Sequence, residues 1–270
     1  MNSIAATLGL SPTILISYAV FLFTVCGYYM YRISKTDITM SEVFTSCVTD
    51  FKGWSVKEYI WLVTAPCIIF AVSIIMGGTI PELVCSVTSI IGAILVAKGK
   101  ISSYVWGFIG TALYLYISVV YKLYGESITY AILFLPMQVS GYYYWVLNRK
   151  NISTTDVQMK SMTTKQRIWV GLGTLVGIAV YAYCISLLKG SWPGLDSATA
   201  ILSILATTLM VMRYSEQWYV WILVNTVAII LWVNAVMHHQ DQGFAVLAMW
   251  ITFWMNSVFG AVNWRKGSKL

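Results

Sequence analysis

The segment EQWYVWILVNT, residues 216–226, sets Trp218, Trp221 and Asn225 at i, i+3 and i+7. On a helix that spacing makes one stripe. Indole faces attract cations, by roughly 0.5–2 kcal/mol each when water is excluded. A primary amide offers two donors and an acceptor to a carboxamide or to sugar hydroxyls. The stripe therefore suits a cationic ring with polar substituents. A second stripe, Gln138, Gly141, Tyr142 and Trp145, follows at i, i+3, i+4 and i+7, and Asn256, Gly260 and Asn263 fall at i, i+4 and i+7. Tyr114, in the apolar run before the second stripe, is counted with them. Nearby Pro136 predicts a break in the helix ladder, and freed carbonyls inside a membrane are tolerated only against protein or a cavity. Polar stripes facing one another at similar depth would make a midplane binding site.

The same residue types have structural uses. Trp and Tyr form belts at membrane interfaces, and Trp145, Trp192, Trp264 and Tyr121–Tyr124 lie near the ends of apolar runs, where anchors belong. Trp218, one residue into its run, fits either role. Asn225 and Asn256 could equally glue helices by hydrogen bonds. Glu82, Glu126, Asp196 and Asp241 open their runs, where acids cap helices and complement the dipole. Asp196 could also draw a cationic substrate to the mouth.

The elements that must carry these residues are membrane spans. Hydrophobic residues fill 59% of the 270 positions and charged residues 10%, far from a soluble balance. Runs of about twenty apolar residues, enough for about 30 Å of hydrocarbon, cover 12–31, 58–77, 80–97, 102–121, 126–147, 168–188, 196–212, 217–236 and 243–262. The chain is expected to be an all-α, multi-pass integral membrane protein. All 17 Lys and Arg except Lys122 and Lys189 fall on one set of alternate connections. By the positive-inside rule that side is cytoplasmic and holds the C-terminus. The net charge of +7 is thus topology, with no nucleic-acid partner implied. No cleavable signal peptide is expected, because no Lys or Arg precedes residue 32 and no small-residue cleavage site follows the first run. The stretch Phe51–Trp61 reads as an amphipathic lead-in to the second run.

Five cysteines show no metal-ligand spacing and read as free packing thiols. His238 and His239, adjacent and about 100° apart on a helix, make a poor metal pair. No GxxxxGK[ST], HExxH or GxSxG motif occurs. No cofactor, metal site or catalytic residue is expected, and nothing supports pumping by nucleotide hydrolysis or a buried acid relay.

An internal repeat organises the chain. YVWGFIGT (104–111) matches YVWILVNT (219–226) at an offset of 115; TSIIG (88–92) faces LSILA (202–206) at 114; GYYYW (141–145) faces GAVNW (260–264) at 119. Two triple-helix copies, 80–147 and 196–264, follow. Parallel copies need one extra crossing, supplied by the basic linker and connecting helix 148–188, and the plan is 3+1+3. Residues 1–79 form an extension with one or two further helices. GTLVG (173–177) on the connecting helix has the GxxxG spacing of close helix packing.

LDSATAILSILATTLMVMRYSEQWYVWILVNTVAIILW (195–232), AKGKISSYVWGFIGTALYLYISVVYKLYGE (97–126) and GYYYW resemble the nicotinamide riboside transporter (PnuC) family over about residues 80–266. The resemblance implies a fold like a full-length relative of the SWEET sugar transporters. It also implies an inner-membrane, trimeric transporter rather than an enzyme. Such a protein takes up nicotinamide riboside by facilitated diffusion, and intracellular phosphorylation traps the product. That substrate is a pyridinium cation bearing a carboxamide and a ribose, which Trp221, Asn225, Trp218, Gln138, Tyr142, Asn256, Trp145, Tyr114 and Asp196 would bind. Thiamine or riboflavin would suit an aromatic site as well; a sugar suits it less.

Overall fold

The computed structural model describes residues 12–121, 124–151, 155–187, 193–237 and 243–268, and these are helical apart from turns and isolated bridges. The helices are α1 (Pro12–Ile33), α2 (Met40–Thr49), α3 (Val56–Ile75), α4 (Ile80–Lys98), α5 (Ser103–Val120), α6 (Tyr124–Thr129), α7 (Leu135–Val146), α8 (Thr164–Leu187), α9 (Pro193–Val211), α10 (Gln217–Met237) and α11 (Gly243–Gly267). Among the described residues, Val56–Ile75, Ile80–Lys98, Ser103–Val120 and Thr164–Cys184 are each long and apolar enough to cross a membrane. The protein is a multi-pass membrane protein.

Helix starts follow side-chain chemistry. Thr39 with Glu42 and Ser55 with Glu58 close reciprocal capping boxes on α2 and α3, each satisfying two otherwise orphan backbone donors. Glu82 accepts from the Thr79 N–H at 2.6 Å, so this acid caps α4 as expected from sequence. The amphipathic helix before the second span is α2, upstream of the stretch Phe51–Trp61, and Phe51–Gly53 form a turn. Asp241, His238 and His239 lie outside the described residues.

Pro136 has the consequence expected of it. It cannot donate to the carbonyl four residues back, and its ring crowds that carbonyl. The chain widens into a π-helical turn, Tyr130–Phe134, just before α7, in which the Leu135 N–H reaches Tyr130 O. The Ala131 carbonyl there accepts a hydrogen bond from Tyr18 Oη of α1 at 3.2 Å.

The chain divides into two compact units, residues 1–96 with 100–157, and residues 97–99 with 158–270. In the first unit α7 packs against α1 and α5; in the second, α9 packs against α8 and α10, and α10 against α11. Equivalent turns open α5 and α10. Gly99 sits at φ 72° and Arg213 at φ 64°, and the next residue in each turn donates five residues back, Lys100 to Leu95 O and Tyr214 to Leu209 O, both at 2.9 Å. The linker straps each turn: Ile101 N–H donates to Thr155 O in the first unit, and Ser215 N–H to Lys160 O in the second.

GTLVG does not pack as its spacing suggests. A Cβ at Gly173 would meet nothing within 4 Å, and one at Gly177 only the Ile201 side chain at 3.6 Å. Within this chain the α8 surface that bears Gly173 is open, so of the two glycines only Gly177 faces a neighbouring helix.

Candidate functional site

In the second unit α10 presents two faces. Trp218 (3% exposed) and Asn225 (4%) are buried against α11, whereas Trp221 is half-buried. Trp218 lies flat over Gly260, where a Cβ would sit 2.6 Å from the indole carbons. Its ring meets Trp264 edge to face, with centroids 6.2 Å apart. Asn225 Nδ2 donates to Ser257 Oγ at 3.0 Å. Trp254 Nε1 donates to Thr226 Oγ1 at 3.0 Å, and Asn256 is buried on the same helix as Ser257.

The first unit repeats this construction. Tyr104 covers Gly141, where a Cβ would overlap the phenol ring, and meets Trp145 edge to face at 5.0 Å. Gln138 Nε2 donates to Thr111 Oγ1 at 3.2 Å, so an amide–hydroxyl bond again joins the two helices, with the partners exchanged. Tyr142 is buried. Tyr114 stacks on Tyr130 of the π turn, with ring centroids 4.3 Å apart.

These pairs correct the offset. Tyr104 and Trp218 occupy equivalent places, as do Thr111 and Asn225, and Gly99 and Arg213, all 114 apart in the numbering. Matching the YVW triplets at 115 shifts every residue by one, because the second unit carries Trp218 where the first carries Tyr104. The anchor assignments of Trp145 and Trp264 are also overturned. Both are 0% exposed; each rests beside a glycine that admits the aromatic ring of the neighbouring helix. Trp192 and the side chain of Asp196 lie outside the described residues.

The geometry brings forward residues that periodicity did not single out. Gln217 is 0% exposed, yet neither Nε2 nor Oε1 has a hydrogen-bond partner, and the Trp218 indole N–H beside it has none either. In the first unit the equivalent Ser103 hydroxyl and the Trp106 N–H are likewise buried without partners. Buried polar groups are nearly always paired, because an unmade hydrogen bond leaves the desolvation penalty uncompensated. Gln217 falls four residues before Trp221 and eight before Asn225, on the same side of α10. No pattern in the sequence separates a buried amide at a helix start from a solvated one.

Two buried carboxylates hold the turns beside these residues. Glu216 (8% exposed) accepts from the Met162 N–H at 3.0 Å and pairs with Arg167 at 2.8 Å. At the equivalent place in the first unit stands Ser102, whose hydroxyl donates to Asp50 at 2.5 Å. Thr155 donates to the other carboxylate oxygen of Asp50. Asp50, just past α2, thus supplies the acid at this place in the first unit.

A family model described as "Nicotinamide mononucleotide transporter" matches residues 79–266. The chain is similar to the nicotinamide riboside transporter PnuC of Neisseria mucosa, 35% identical over 222 residues that span 80% of this chain and 83% of that protein. It is also similar to the Haemophilus influenzae nicotinamide riboside transporter PnuC, at 31% identity over 79% of this chain and 92% of that one. The crystal structure of the vitamin B3 transporter PnuC superposes with a TM-score of 0.71 at 33% identity, covering 86% of this chain and 99% of that chain.

Proposed function

Because this chain belongs to the nicotinamide mononucleotide transporter family, we propose that it takes up nicotinamide riboside by facilitated diffusion, with phosphorylation inside the cell trapping the product. The relatives named as riboside transporters support that substrate. The observation that carries the reading is the buried, unpartnered amide of Gln217 beside the unpartnered Trp218 N–H. A carboxamide or a ribose hydroxyl supplies the missing partners, and the half-exposed face of Trp221 suits the pyridinium. Asn225 and Asn256 are further candidate substrate contacts within the second unit, and Tyr114, Gln138, Tyr142 and Trp145 are candidate contacts within the first; Asp196 would attract the cation.

The architecture we propose is 3+1+3: copies 80–147 and 196–264, linker and connecting helix 148–188, and extension 1–79. The basic connections face the cytoplasm, the C-terminus is inside, and the protein sits in the inner membrane as a homo-oligomer, a trimer by family resemblance. The matched turns at Gly99 and Arg213 and the matched Tyr104–Gly141 and Trp218–Gly260 contacts support the repeat.

The family description names the mononucleotide, and that is the second reading. Against it, the buried charged side chains among the described residues are the carboxylates Asp50 and Glu216. A phosphate dianion would have to shed water in an apolar passage without a buried cation to receive it. Calorimetric titration of purified protein separates the readings. Riboside binding, lost by roughly tenfold to a hundredfold in Gln217→Leu at about 1–3 kcal/mol for an unmade bond, supports the proposal. Binding of the mononucleotide in preference to the riboside overturns it.

A further inference from the structure

At one end of the first unit, where α1 gives way to α2, a cavity of about 870 Å³ opens between Lys35, Asp37 and Glu42 on one side and Leu147, Arg149 and Lys150 on the other. Its carboxylates are already engaged. Asp37 faces Arg149 at 3.4 Å. Glu42 accepts from the Thr39 N–H at 2.6 Å, and that bond holds its carboxyl below the usual range. Arg149 also donates from Nε to Val146 O at 3.1 Å. Lys35 and Lys150 remain exposed, and among the described residues neither forms an ion pair. With Lys35, Arg149 and Lys150 against the carboxylates of Asp37 and Glu42, the cavity keeps a net positive charge, and its two lysine ammonium groups are held in no ion pair among the described residues.

Beside those lysines stand two exposed side chains with apolar surface, one at the cavity rim and one next to Lys35. Leu147 at the rim is 52% exposed and Tyr31 61%, with the Lys35 ammonium 5.2 Å from the Tyr31 ring centre. Both residues stand at the ends of α1 and α7, which pack together. Cationic groups above an exposed apolar surface at a helix end are what a phospholipid with an anionic head requires. A free anion would use the lysines alone and leave the apolar surface bare.

We propose that this cavity binds the headgroup of an anionic phospholipid, whose phosphate meets Lys35 and Lys150 and whose acyl chains lie against Tyr31 and Leu147. Residues 35–42 fall outside the 79–266 region of the family match, so the site belongs to the extension together with the end of α7. Bound lipid would tie the extension to the first copy.

Native mass spectrometry of the full chain, released from neutral detergent, tests this with phosphatidylglycerol and phosphatidylcholine of matched acyl chains. Wild type should retain phosphatidylglycerol, and Lys35→Ala/Lys150→Ala should bind it about thirtyfold more weakly, at about fivefold per lysine near a membrane surface. Arg265→Ala/Lys266→Ala, which removes the same charge elsewhere, should bind like wild type. Millimolar inorganic phosphate should not displace the lipid. Equal retention of phosphatidylcholine, full displacement by phosphate, or undiminished binding by the lysine double variant would each overturn the proposal.

Discussion

Asn225 Nδ2 donates to Ser257 Oγ across 3.0 Å, joining α10 to α11. A bond of this kind in a membrane bundle contributes only about 0.6 kcal/mol on average. If Asn225 serves the helices alone, Asn225→Ala and Ser257→Ala should each cost little stability and leave riboside affinity unchanged. The proposed site requires more. Asn225→Ala should weaken riboside binding by roughly tenfold or more through an unpaired ligand group, while Ser257→Ala, which frees the Asn225 amide, should change affinity far less. Calorimetric titration beside thermal melting of both variants separates the two roles.

The contact between Gly260 and Trp218 leaves no room for a methyl group. Gly260→Ala should lower the melting temperature, since overpacking costs about 1–3 kcal/mol against a helix-propensity gain of at most about 1 kcal/mol. Combining it with Trp218→Leu should recover part of the loss. Gly173→Ala is the control: its Cβ meets nothing within 4 Å, so melting should stay unchanged or rise slightly.

Much of this architecture is legible in the residues. Charge-poor runs of about twenty mark the long helices, and Glu82 at the start of its run marks the cap of α4. The misread positions share a cause: a single chain position does not say what covers it. Trp145 and Trp264 stand near span ends, as belt residues do, but glycines at 141 and 260 admit a neighbouring ring and the indoles are sealed inside. GTLVG shows the converse, small residues with no helix against Gly173. Gln217 and Asp50 carry no signal in the sequence, because burial of a polar group depends on long-range packing.

Asp50 stands far along the chain from the residues it holds, and its carboxylate takes the hydroxyls of Ser102 and Thr155. Asp50→Ala would leave the buried Ser102 hydroxyl unpaired, at about 1–3 kcal/mol. It should lower the melting temperature and quicken proteolysis of the linker around residues 148–160. Asp50→Asn, which keeps an acceptor, should fall between. A wild-type cleavage rate in Asp50→Ala would show that the extension does not brace the linker.

The most direct test of the central claim is uptake of labelled nicotinamide riboside into proteoliposomes that contain this protein and no kinase. The substrate is a cation, so the membrane potential is first clamped at zero with valinomycin and equal potassium on both sides. Facilitated diffusion then requires the label to enter until inside and outside concentrations match, and to stop there, with or without a sodium or proton gradient. Enclosing a riboside kinase and ATP should raise the trapped label well above that level. At zero membrane potential, accumulation of unmodified riboside above the outside concentration under a sodium or proton gradient, or entry of the mononucleotide in its place, would contradict the account.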